Sequence, residues 1–77
     1  MDQATRNMLL EYAAEDLQLA RDEGYMAISN THIGCIHIDK NGKGFDISAP
    51  RHGIYMTNVC WAAAVVFIAK NFVVVGG

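Results

Sequence analysis

Apolar residues recur at helical spacing in the first part of the chain. Leu9, Ala13, Leu17 and Ala20 stand three or four apart, and Met8, Leu10 and Tyr12 widen the stripe. Glu11, Glu15, Gln18 and Asp22 recur on the opposite side. The pattern predicts an amphipathic helix over Gln3–Glu23. Asp2 is placed to accept from orphan amides of its first turn, and Gly24 suits the left-handed position past its end.

The spacing then shortens to that of strands, predicted over Tyr25–Asn30 and His32–Ile38. Asn41-Gly42 reads as the centre of a type I′ hairpin turn. That turn sets Ile38 opposite Phe45 and Ile36 opposite Ile47 on an apolar face. It sets His37 opposite Asp46 and Cys35 opposite Ser48 on the more polar face. A two-residue loop near Asn30-Thr31 would turn Met26 and Ile28 to the open side, whereas a three-residue loop would turn them to the core. The core arrangement is favoured because it joins Met26 and Ile28 to Ile36, Phe45 and Ile47.

Pro50-Arg51-His52-Gly53 breaks the chain after the third strand. Ile54-Tyr55-Met56 is read as a bridge to a second helix over Asn58–Lys70, capped by Thr57. This helix is apolar nearly all round, with Val59, Trp61, Val65, Val66, Phe67 and Ile68, so burial on more than one side is expected. It would lie between the sheet and the first helix, or between the sheet and a second subunit. Asn71 ends it, and Phe72–Val75 reads as a short strand. The expected order is α-β-β-β-α-β, an α+β fold with a small antiparallel sheet packed against two helices.

Seventy-seven residues make one domain, 1–77, with a small core. The apolar fraction of 52% points to dense packing or to a dimer. Cys35 and Cys60 have no paired-motif spacing and read as free thiols of a reducing cytoplasm. The polar start, Met1-Asp2-Gln3-Ala4-Thr5, carries no signal-peptide pattern. The uncharged run Val59–Ala69 is well short of the ~20 residues of a membrane span. A cytoplasmic protein without membrane contact is expected. Net charge −2 argues against direct nucleic-acid binding.

Charge is divided unevenly. Residues 1–24 carry six acids against Arg6 and Arg21, a balance of −4, and the remainder balances to +2. Arg6 can reach Asp2 one turn back, but Arg21 has only Leu17 and Gln18 at those distances. A row of unpaired carboxylates weakens a helix by repulsion, and such a row suits a basic partner surface.

Other chemistry fares worse. Cys35, His37 and Asp46 share a face in the expected register, but a flat open sheet supplies neither oxyanion donors nor a dry pocket. His32 points away from Cys35 and His37, and the helical pattern buries Cys60, so the histidines and cysteines do not assemble four zinc ligands. Asn41-Gly42-Lys43-Gly44 lacks the phosphate-loop pattern and opens no helix. Trp61, Phe67, Phe72 and Tyr55 are read as core filling rather than a cofactor pocket. No catalytic residues, metal or cofactor are expected, and the chain is read as a non-enzyme.

A very small chain without a catalytic motif, with an acidic helix and a three-stranded hairpin sheet, resembles phage-encoded anti-defence proteins, especially anti-CRISPR inhibitors. The resemblance spans the whole chain in size and element order. It implies a stoichiometric inhibitor in the host bacterial cytoplasm, occluding the lysines or arginines with which a CRISPR surveillance complex holds DNA. Glu11, Glu15, Asp16, Asp22 and Glu23 would be its contact residues. The modest net charge departs from strong DNA mimics and favours local occlusion. Two other classes remain open. One is a homodimeric accessory module completed through the second helix or an open sheet face bearing Ile33 and Cys35. The other is a small-ligand or metal-binding regulator using Cys35, His37 and His52.

Overall fold

The computed structural model describes residues 2–74. Helix α1 spans Gln3–Glu23. Strands β1 (Tyr25–Ile28), β2 (Ile36–Asn41), β3 (Gly44–Ala49) and β4 (Ile54–Val59) follow, and helix α2 spans Trp61–Asn71. The strands form one antiparallel sheet in the order β1-β2-β3-β4. Both helices pack on one face of it, α1 over β1 and β2 and α2 over β3. The fold is a small two-layer α+β arrangement in the order α-β-β-β-β-α.

The α1 boundaries follow from capping. The Asp2 carboxylate accepts from the Thr5 amide at 2.7 Å, and this contact holds its pKa below the ordinary value. Gly24 ends the helix at φ 89°, and its amide donates to the Ala20 carbonyl. Leu9, Ala13, Leu17 and Ala20 are buried, as the spacing requires. They meet Ile28, Ile36, Ile38, Phe45 and Ile47 from the sheet and Ala64, Ile68 and Ala69 from α2.

The hairpin between β2 and β3 turns one residue later than Asn41-Gly42. Its two-residue loop is Gly42-Lys43, with Asn41 opposite Gly44. Only the first central residue has positive φ, 60° at Gly42, the arrangement of a type II′ turn. Every pairing therefore moves by two. Ile38 faces Ile47, His37 faces Ser48, and Asp39 faces Asp46. An even shift leaves each side chain on its expected face, so Ile36, Ile38, Phe45 and Ile47 are all buried. The expected His37–Asp46 pairing is lost.

Met26 pairs with Ile38 and Ile28 with Ile36, which puts β1 in the core register. The connection behind it, Ser29–Cys35, is longer than three residues. Thr31 organises it: its hydroxyl donates to the Gly34 carbonyl and accepts from the Ile33 amide. Ile33 and Cys35 consequently lie in this loop rather than on the open sheet face, and Ile33 packs against the core.

The fourth strand is Ile54–Val59, ahead of the second helix. Pro50–His52 form a 3-10 turn closed by Gly53 at φ 64°, which returns the chain so that Ile54 pairs with Ala49. Ile54 and Met56 face inward while Tyr55 and Thr57 face solvent. Thr57 is thus a strand residue, and the residue before α2 is Cys60, whose side chain makes no cap and is exposed. Phe72 forms a single antiparallel bridge with Thr31, fastened by His32 N donating to Asn71 O and Val73 N donating to Asn30 O. Val73 and Val74 form no strand, and Val75 lies outside the described residues.

The two helices run antiparallel. Arg21 near the end of α1 lies over Trp61 at the start of α2, 4.4 Å from the ring centroid. At the opposite end Arg6, Leu9 and Leu10 adjoin Val66, Ala69 and Lys70. Among the described residues, cover on α2 comes from one side. Ala62, Ala63 and Val66 face solvent despite the apolar composition of the helix, so the expected burial on several sides is not met by this chain alone. No described helix is long and apolar enough to cross a membrane.

Candidate functional site

Helical geometry advances each residue by about 100° around the axis. Glu11, Glu15 and Asp22 therefore fall within one narrow sector of α1, and all three are exposed. Gln18 lies in the same sector and donates to the Asp22 carboxylate at 3.0 Å. Asp16 and Glu23 lie about a third of a turn away. The structure thus gathers three of the five candidate acids on one outward face and leaves two on its flank.

Asp16 is half-buried, and it borders a groove with Met8, Tyr12, Asn30 and Phe72. Burial raises its pKa above the ordinary value, and the neighbouring charge of Glu15 adds to the effect. Sequence spacing misses this apolar flank because Met8 and Tyr12 look like an extension of the core stripe. Both are exposed.

The two bases of α1 are turned from the acids. Arg21 stacks over Trp61, and Arg6 lines the groove between the helices. Neither lies in the sector of Glu11, Glu15 and Asp22, and the Asp2 carboxylate is engaged by the Thr5 amide. A guanidinium over an indole face is held by the ring quadrupole as well as by packing. The sequence shows that Arg21 lacks an acid one turn back; the Trp61 contact comes from tertiary structure.

The open face of the sheet carries Tyr25, His37, Asp39, Asp46, Ser48 and Tyr55. Tyr25 Oη and His37 Nδ1 share a hydrogen bond of 2.6 Å, with the two rings stacked at 6.1 Å. Asp46 accepts from the Asn41 side-chain amide and the Asn58 backbone amide, each at 3.0 Å. These contacts lower its pKa, the Asn41 contact contributing most. Asn58 stands at φ 53° in a bulge where two residues of β4 oppose Asp46. Asp46 is therefore a structural acceptor, turned from any partnership with His37, and Cys35 precedes β2 in the loop. Among the described residues, no three His, Cys, Asp or Glu side chains form a group that could hold a metal ion.

The chain matches no protein-family model, curated protein or solved structure.

Proposed function

We propose that this protein acts by contact with another protein, docking the outward face of α1 on a basic surface. In the specific form implied by the anti-CRISPR resemblance, it is a non-catalytic inhibitor of a bacterial defence complex. Glu11, Glu15 and Asp22 supply the charge, while Asp16 and Glu23 meet the edge of the contact. The observation that carries this reading is the segregation of charge on α1. Three acids share one exposed sector, and both of the helix's bases face α2. Such a face attracts lysines and arginines over distances comparable with the Debye length and steers their approach.

A phage-plaquing assay tests the inhibitor form. Expression in a CRISPR-immune bacterial strain is expected to restore plaquing, and Glu11→Lys with Glu15→Lys is expected to abolish that effect while leaving the circular-dichroism spectrum unchanged. Plaquing that stays suppressed, or is restored equally by the variant, would overturn the assignment.

A further inference from the structure

We propose that the groove between α1 and the segment following α2 receives a lysine or arginine side chain of the protein partner, with its stem on the apolar walls and its charged head at Asp16 and Glu15. This inference rests on the docking of α1 on a basic surface and names the pocket that anchors it. Met8, Tyr12, Glu15 and Asp16 stand at i, i+4, i+7 and i+8, so helical geometry brings them to one edge of α1. Asn30, Phe72, Val73 and Val74 form the facing wall. The Thr31–Phe72 bridge holds that wall in place, together with Val73 N donating to Asn30 O at 3.0 Å. The groove is therefore formed before anything enters it.

Its volume is about 510 Å³, ample for one long side chain. Leu9 and Phe72 are buried beneath it, whereas Met8, Tyr12, Val73 and Val74 are 40–49% exposed. An apolar centre with an aromatic ring and a methionine, bordered by charge, has the anatomy of a protein contact. The border identifies the occupant. Both charged residues that line the groove are acids, and no base lines it among the described residues. Asp16 is half-buried there, and burial followed by the Glu15 charge raises its pKa. A cation at the same place offsets both effects. Lysine and arginine suit the two halves of the groove, since their methylene stems cover apolar surface while the tip keeps its charge. The Tyr12 ring attracts the same cation through its π face. A partner that delivers the side chain also closes over the exposed walls, which a free small ion cannot do. Glu15 belongs to the groove and to the sector of Glu11 and Asp22, so the pocket continues the docking face.

Nuclear magnetic resonance of the isotope-labelled full chain tests the pocket with n-butylguanidinium and n-butylammonium as stand-ins for the two side chains. Butyrate and n-butanol are the anionic and neutral controls. The expected result is saturable shifts at Met8, Tyr12, Asp16 and Val73 with the two cations and none at matched concentration with the controls. Asp16→Asn and Tyr12→Ala should each weaken cation binding about threefold or more, while Asp39→Asn on the back of the sheet leaves it unchanged. Both groove positions have solvent access, so a circular-dichroism spectrum like that of wild type is expected for each variant. Absence of shifts in the groove overturns the proposal, as does binding that survives both groove variants. Equal shifts with butyrate or n-butanol overturn it too, by making the groove an apolar slot without preference for charge. Micromolar binding of free n-butylguanidinium would give the groove to a small cation rather than to a partner's side chain. Cation binding in the groove without restored plaquing would support the pocket and remove the CRISPR complex as the partner, so the two readings fail separately.

Discussion

The Asp46 carboxylate shows how much one exposed side chain can organise in a sheet of this size. It receives the Asn58 amide at a left-handed position and the Asn41 side chain beside the hairpin, so one acceptor fastens the bulge and the turn. Its folded pKa lies below its ordinary value. A carboxylate of that sign stabilises the fold above its unfolded pKa and loses the contribution as pH falls through the folded pKa. Asp2 has the same sign through Thr5. Asp16 has the opposite sign: burial, then the Glu15 charge, raises its pKa, so its ionised form weakens the fold and acid relieves it. Asp46→Asn is accordingly expected to lower the melting temperature at neutral pH, with the difference from wild type closing below the ordinary carboxylate range. Asp16→Asn should raise the melting temperature at neutral pH and lose that advantage in acid. Melting curves across pH check both, and a pH-independent Asp46→Asn deficit would contradict the role given to its charge.

At the scale of elements, α1 was legible because local rules agreed: cap, apolar stripe and terminal glycine all select Gln3–Glu23. Of the candidate site, the sector of Glu11, Glu15 and Asp22 was legible from helical spacing alone. The flanking positions of Asp16 and Glu23 follow from the same spacing, but the partial burial of Asp16 depends on Phe72 and Asn30 arriving from elsewhere. The faces of the sheet are legible in the sequence, but the register expected from Asn41-Gly42 is off by two, because Gly42-Lys43 also offers a turn with glycine at a positive-φ position. The second turn is the one that pairs Asn41 with Gly44, where a side chain would meet Val59 O and Asn58 Oδ1 at 2.9 Å. Gly44→Ala is therefore expected to cost about 1–3 kcal/mol in denaturant unfolding. β4 is not legible as a strand from Ile54-Tyr55-Met56-Thr57 alone, although these residues alternate, since its partnership depends on the reversal at Pro50–Gly53. Leu17, fully buried, should cost about 2–5 kcal/mol on substitution by alanine. Trp61→Ala should cost less, about 2 kcal/mol, because the indole is only half-buried between Phe45 and Arg21.

The whole molecule presents surfaces of different character. The outer helix layer is acidic along α1 and apolar along α2, with Arg6 and Lys70 at one end, while the back of the sheet is polar and aromatic. This division is consistent with the proposed contact of α1 with a basic partner. The most direct test of the proposed docking is the affinity of the purified protein for a purified CRISPR surveillance complex, measured against salt and with the Glu11→Lys, Glu15→Lys variant. The account predicts specific binding that weakens as salt rises, loss of that binding in the variant, and displacement of target DNA by the wild type. Binding that is absent, or equal for the two proteins at every salt concentration, would contradict it.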